Sequence, residues 1–87
     1  MLPMNYAILK LFADGKTYDA DKVMVELKPK YANFRAFKKP SIVESLMAAE
    51  KNGLLEQASF DLDDLDELHV YYRATDYGKD MINQYIR

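Results

Sequence analysis

Apolar residues recur along this chain at two spacings, and the spacing changes once. Over residues 3–13, Met4, Ile8, Leu11 and Phe12 fall on one side of a 3.6-residue helix. Pro3 suits a first helical turn, where its missing N–H costs nothing, and Asp14-Gly15 ends the segment because glycine accepts the left-handed cap conformation. Lys16-Thr17-Tyr18 leaves room only for a brief strand or an extended link. Asp19 then stands where an N-cap side chain belongs, and Asp21 favours the positive end of a helix dipole. Ala20, Val23, Met24 and Leu27 follow at i, i+3, i+4 and i+7, which predicts a short amphipathic helix stopped by Pro29.

Residues 30–38 show no clean period and read as a loop or an extra helical turn, with Phe34 and Phe37 expected to anchor into the core. The connection from Leu27 to Pro40 is then about a dozen residues, where a compact helix-turn-helix uses roughly three or four. A third helix is predicted over 40–52. Ser41 and Glu44 have capping-box spacing, while Pro40 also suits a first helical turn, which leaves the start open by a residue or two. Ile42, Leu46 and Ala49 form its core stripe, widened by Val43, and Asn52-Gly53 is its stop signal. Beyond Gly53 the period becomes two. Residues 54–60 and 68–74 read as paired strands, the second with Val70, Tyr72 and Ala74 on one face and His69, Tyr71 and Arg73 on the other. The acidic stretch between them is the hairpin tip. Thr75 or Asp76 opens a last helix over 75–86, with Met81, Ile82, Tyr85 and Ile86 as its apolar side.

The order helix, short strand, helix, helix, hairpin, helix makes this an α+β fold, mostly helical, with a three-helix core, a two-stranded wing hairpin plus a short third strand, and a C-terminal helix. Two stretches carry a resemblance. Ser41-Ile42-Val43-Glu44-Ser45-Leu46-Met47-Ala48-Ala49-Glu50-Lys51-Asn52-Gly53-Leu54-Leu55-Glu56 resembles the recognition helix and first wing strand of PadR and MarR-type transcriptional regulators. Tyr71-Tyr72-Arg73-Ala74-Thr75-Asp76-Tyr77-Gly78-Lys79 is similar to the strand-to-helix junction of the same regulators. The resemblance implies a winged helix-turn-helix, with a recognition helix near 40–52, a wing near 54–74 and a C-terminal helix near 75–86. It also implies a small bacterial DNA-binding regulator that acts as a dimer, with the first and last helices as the expected contact.

Composition adjusts this picture in a few places. At 87 residues and 49% hydrophobic, the chain is one domain, 1–87, able to bury a core. It contains no cysteine, which removes disulfides and thiolate chemistry and suits a reducing compartment. No basic region precedes a long apolar run at the N-terminus and no apolar stretch spans a membrane, so a cytoplasmic setting is expected. The formal net charge of −2 gives no global nucleic-acid signal, but the charge is segregated. Lys28, Lys30, Arg35, Lys38 and Lys39 form a basic block without an acid, and Asp61, Asp63, Asp64, Asp66 and Glu67 an acidic block without a base.

The N-terminal part of a recognition helix enters the major groove, and helix N–H groups there also favour phosphate. The candidate DNA-binding residues are therefore Lys28, Lys30, Arg35, Lys38, Lys39, Ser41, Glu44, Ser45 and Lys51, with double-stranded DNA as the expected partner. Projection at 100° per residue leaves Ser41, Glu44, Met47, Ala48 and Lys51 facing outward, a set without Arg, Asn or Gln and poorly suited to reading bases. The rival reading is a winged helix that binds a protein through the acidic wing and the recognition-helix face, without DNA. Tyr71, Tyr77 and Tyr85 are further candidates for a dimer contact. Asp61 and Asp63 alternate as calcium ligands do, but Leu65 breaks the pattern and no glycine supplies the turn. The single histidine, His69, is expected at the surface. No nucleophile–base pair, metal set or phosphate loop can be assembled, so neither catalytic residues nor a cofactor are expected.

Overall fold

The computed structural model describes residues 2–86, so the first and last positions of the expected 1–87 domain lie outside the described residues. The elements are α1 (Met4–Leu11), a 3-10 turn (Phe12–Asp14), α2 (Ala20–Tyr31), α3 (Lys39–Lys51), β1 (Leu55–Leu62), β2 (Leu68–Ala74) and α4 (Asp76–Tyr85). This is the predicted order and the predicted α+β class. α3 packs against β1 and α2 against β2 of the antiparallel hairpin, α1 packs on α2, and α4 packs against the 3-10 turn and β2. Tyr18 adds the short third strand. It exchanges backbone hydrogen bonds of 3.0 and 2.9 Å with Tyr72 and lies beside β2.

Local chemistry accounts for most of the element ends. Gly15 ends the 3-10 turn at φ +80. Asp19 caps α2 by accepting from the Lys22 N–H at 2.8 Å. At the end of α3, Gly53 takes φ +79, its N–H bonds to the Glu50 carbonyl, and the Leu54 N–H bonds to Ala49. That is a Schellman cap, and it turns the chain directly into β1. Thr75 caps α4 by accepting from the Gly78 N–H at 2.8 Å.

The core is drawn from every element. Ile8, Phe12, Val23, Ile42, Leu46, Leu55 and Ile82 are its largest fully enclosed side chains, with Tyr31, Tyr72 and Ala49 beside them. The stripe Ile42, Leu46, Ala49 is buried as its spacing predicts.

Several expectations are corrected. Pro29 does not stop α2, which continues to Tyr31. Proline removes one N–H and crowds the carbonyl of Val25, but Val25 lies on the exposed side of the helix, where a carbonyl without its helical partner costs little. Tyr31 meanwhile is buried and its hydroxyl donates to the Leu2 carbonyl, an anchor that outweighs the local cost. The connection to α3 therefore shrinks to residues 32–38. Within it Phe37 packs on the core, whereas Phe34 is 43% exposed and rests edge-on against Tyr31 at 4.9 Å. The capping box is absent: α3 starts at Lys39, which places Ser41 inside the first turn, and Lys38 takes the N-cap position with no side-chain bond. Val43 and Tyr85 leave their predicted core faces and are exposed. β1 runs on to Leu62, which moves Asp61 from the tip into the strand.

One irregularity could not be read from the pattern. The pairing slips between Gln57 and Ser59, with Ala58 bulged out. Before the bulge, Leu55 and Gln57 oppose Ala74 and Tyr72; after it, Phe60 and Leu62 oppose Val70 and Leu68. Strand side chains alternate, so the extra residue puts Phe60 and Leu62, rather than Ser59 and Asp61, on the face of the hairpin that looks toward α3.

Candidate nucleic-acid interface and the acidic groove beside it

Four N–H groups at a helix start have no intrahelical acceptor. At the start of α3 Pro40 supplies none, and no side chain caps the rest. Lys38 is exposed immediately before this uncapped positive end. The expected cations are not all gathered there. Lys28 and Lys30 project from the last turn of α2, and Lys30 borders a depression with Lys10 and Glu26 between α1 and α2. Arg35 is exposed on the connecting loop. Lys51 sits in the last turn of α3, at the opposite end of the helix from Lys38.

Lys39 has a partner that its spacing in the sequence does not show. Its ammonium lies 3.0 Å from an Asp21 carboxylate oxygen, and this bond holds the pKa of Lys39 above its ordinary value. A cation already paired at the N-terminus of α2 offers a phosphate less than a free one. Ser41, Glu44 and Ser45 border a second depression together with Asn5 of α1 and Ala36 of the loop. Ser45 is committed within it, donating from its hydroxyl to the Asn5 side-chain oxygen at 2.9 Å.

On the other side of α3 lies a groove of about 350 Å³ between this helix and the wing. Val43, Leu46 and Met47 line it from α3, and Leu68 and Val70 from β2. Its polar margin holds Asp19 and Asp21 at the start of α2, Glu50 on α3, Lys39 and His69.

His69 corrects the expectation of an ordinary surface histidine. Its side chain is only 19% exposed. Nδ1 lies 2.9 Å from Asp19 and 3.4 Å from Asp21, while Nε2 lies 2.9 Å from Asp63 at the wing tip. A neutral imidazole has one N–H, so carboxylates on both nitrogens are both satisfied only by the imidazolium. The hydrogen bond to Asp63, and then that to Asp19, accordingly raise the pKa of His69 above 6.5. In return, His69 and then the backbone N–H groups of Glu67 and Leu65 lower the pKa of Asp63 below 3.8. The wing tip is thus fastened to the N-cap of α2 by charge. Asp63 also builds the tip itself, its other oxygen accepting from Leu65 at 2.8 Å and Glu67 at 3.0 Å, with Asp66 at φ 59 completing the turn. Donor atoms of Asp19, Asp21 and His69 lie within 4.8 Å of one another, a spacing that could hold a divalent cation, but they are bonded to each other, to the Lys22 N–H and to Lys39. Among the described residues, no helix is long and apolar enough to cross a membrane.

The bridge has a pH signature. A histidine whose folded pKa is raised contributes stability in full below its unfolded pKa near 6.5, and loses it as pH rises through the folded value. The lowered Asp63 contributes above its unfolded pKa near 3.8 and loses that as pH falls through its folded value. Thermal melting should therefore show higher stability near pH 5.5 than near pH 8.5. His69→Gln should flatten that difference; a wild-type melting temperature equal at the two pH values would show that the bridge contributes nothing.

No family model matches the chain, and no curated protein matches it in sequence. Solved structures do. A PadR-like transcriptional regulator from Bacillus cereus superposes with a TM-score of 0.69 at 20% identity, over 93% of this chain and 75% of its own. Bacillus subtilis PadR, solved in complex with operator DNA, gives 0.77 at 22% identity over 97% of this chain, which spans only 47% of that protein. A putative transcriptional regulator from Thermoplasma acidophilum gives 0.74 at 16% identity, covering 95% of this chain and 76% of its own. Identities this low speak for the fold alone, and the fold of this chain is a winged helix of the PadR type.

Proposed function

We propose that this protein is a small cytoplasmic transcriptional regulator that binds duplex DNA through the N-terminal end of α3. The observation that carries the reading is the uncapped, exposed start of that helix, with Lys38 beside it, on a winged helix framework shared with a regulator solved on operator DNA. Free backbone N–H groups and a cation form a phosphate contact. Arg35, Lys28 and Lys30 supply flanking charge, whereas Lys39 contributes less because Asp21 holds it. Ser41 and Glu44 are the groups near this end with base-edge chemistry, and Ser45 is occupied by Asn5. Affinity should therefore come mostly from the phosphate backbone, with modest sequence discrimination. The reading includes a homodimer across α1 and α4, where Tyr6, Tyr77 and Tyr85 are exposed.

Fluorescence anisotropy with a labelled mixed-sequence duplex tests this. Binding should weaken linearly in log–log plots against salt, and Lys38→Glu with Arg35→Glu should cost about tenfold or more at low salt. Lys39→Ala should cost clearly less than Lys38→Ala. If micromolar protein shifts no duplex at low salt, the reading is wrong.

A further inference from the structure

We infer that the groove between α3 and the wing docks a basic amphipathic segment of a partner protein. This goes beyond the DNA reading and does not rest on it, because it uses a different face of α3.

The apolar surface there is continuous. Val43 and Met47 form one wall of the groove, and Leu68 and Val70 the other. The bulge at Ala58 extends the second wall outward, since it turns Phe60 and Leu62 to the same face as Val70 and Leu68. Met47 is 57% exposed, Phe60 71%, Leu62 63% and Leu68 59%. Large apolar side chains scattered singly over a surface mean little, but a strip running from a helix along a hairpin marks a contact surface.

Charge decides what the surface contacts. Asp19 and Asp21 border one side of the groove and Glu50 the other, and Asp63, Asp64, Asp66 and Glu67 cluster at the wing tip, while Asp61 alternates to the opposite face of the hairpin. Lys39 is bound to Asp21, and His69 to Asp19 and Asp63, so the carboxylates without a cationic partner among the described residues are Glu50 in the groove and Asp64, Asp66 and Glu67 at the tip. A phosphate backbone laid against this wing would meet several carboxylates and exposed hydrocarbon, which disfavours DNA on this side. A segment carrying apolar residues on one face and Lys or Arg on its flanks satisfies both halves of the site. Its apolar side chains enter between Met47 and Leu68, and its cations reach the acidic margins.

Fluorescence anisotropy with two synthetic peptides provides the test. The first places leucines at helical spacing among lysines; the second keeps the lysines and replaces every leucine with serine. The leucine peptide should bind at least about tenfold more tightly than the serine peptide, since apolar anchors supply most of such an interface's energy. Phe60→Ser with Leu62→Ser should remove most of that advantage in a protein that still melts cooperatively, because both side chains are exposed. Glu50→Gln with Asp64→Asn should weaken both peptides. Equal binding of the two peptides would reduce the effect to bulk charge and overturn the proposal, as would wild-type affinity in the Phe60/Leu62 variant. Self-association lost in that variant, read by light scattering, would assign the strip to a second copy of the chain and likewise overturn it. So would loss of duplex binding in the same variant, which would return the wing to DNA. A duplex-binding failure of the wild-type protein leaves the peptide result standing, so the two readings fail separately.

Discussion

Gly78→Ala should be among the most damaging substitutions of a single small residue in this protein. In an ordinary helix the change from glycine to alanine is favourable by about 1 kcal/mol. Here the sign reverses. A Cβ at Gly78 would stand 1.9 Å from the Leu54 carbonyl oxygen and 2.8 Å from its carbon, where ordinary contact begins at 3.4 Å. The obstacle is backbone, so no rotamer change relieves it. Either α4 or the α3–β1 turn must move, and they are bonded together. The Thr75 N–H donates to the Leu54 carbonyl at 3.1 Å, and the Thr75 hydroxyl donates to the Gly53 carbonyl at 2.6 Å while accepting from Gly78. Displacing the helix start therefore breaks its cap and its seat at once. We expect a net loss of about 3 kcal/mol, which for a domain of this size lowers the melting temperature by roughly 12–24 °C. Gly53→Ala is the control. Gly53 sits at φ +79 with nothing within 4 Å, so alanine there meets backbone strain but no collision, costing about 1 kcal/mol. If the two variants melt together, the close seat of α4 on Leu54 is not real.

Phe12→Ala should be comparably severe for the opposite reason. Phe12 is 0% exposed, on the 3-10 turn that joins α1 to the rest, and its ring meets Tyr18 edge-on at 5.2 Å. Removing a buried phenyl group loses its transfer energy and leaves a cavity, together about 3–5 kcal/mol. At roughly 0.05–0.15 kcal/mol per residue, an 87-residue domain holds only about 4–13 kcal/mol in total. The variant should lie near its folding threshold and show it in chemical denaturation, while Phe12→Leu, which keeps most of the volume, should lose less than half as much. A loss under about 1 kcal/mol for Phe12→Ala would contradict a core packed around this ring. A second consequence concerns Tyr18, whose hydroxyl donates to Asp14 just beyond Phe12, a bond that pushes the Tyr18 pKa up to about 12. Loosening the 3-10 turn should bring that pKa down, which ultraviolet titration of the tyrosines would follow.

The sequence was most informative where structure depends on near neighbours. Asp19 as a cap, Gly15 and Gly53 as left-handed stops, and the Ile42, Leu46, Ala49 stripe were all legible, because a cap or a helix face is set within four or five residues. The order of elements was legible for the same reason, and with it the winged helix layout. The basic start of α3 was also visible in the sequence, as a run of lysines around a helix-opening proline.

The site depended on partners that sequence spacing does not show. Lys39 reads as a free cation until α2 brings Asp21 to 3.0 Å, and His69 reads as a surface residue until Asp19, fifty positions away, and Asp63 close on both of its nitrogens. A propensity argument ends α2 at Pro29, but burial of Tyr31 carries the helix through it, because a packed aromatic outweighs one missing hydrogen bond at an exposed turn.

By itself, then, the sequence determined the caps, the helix faces and the order of the fold, since each is fixed by contacts a few residues apart. Only the tertiary structure decided which charges are already paired, why Gly78 must lack a side chain, and which way the wing presents Phe60 and Leu62. Each of these turns on long-range register, and a single bulged residue at Ala58 is enough to exchange a polar face for an apolar one.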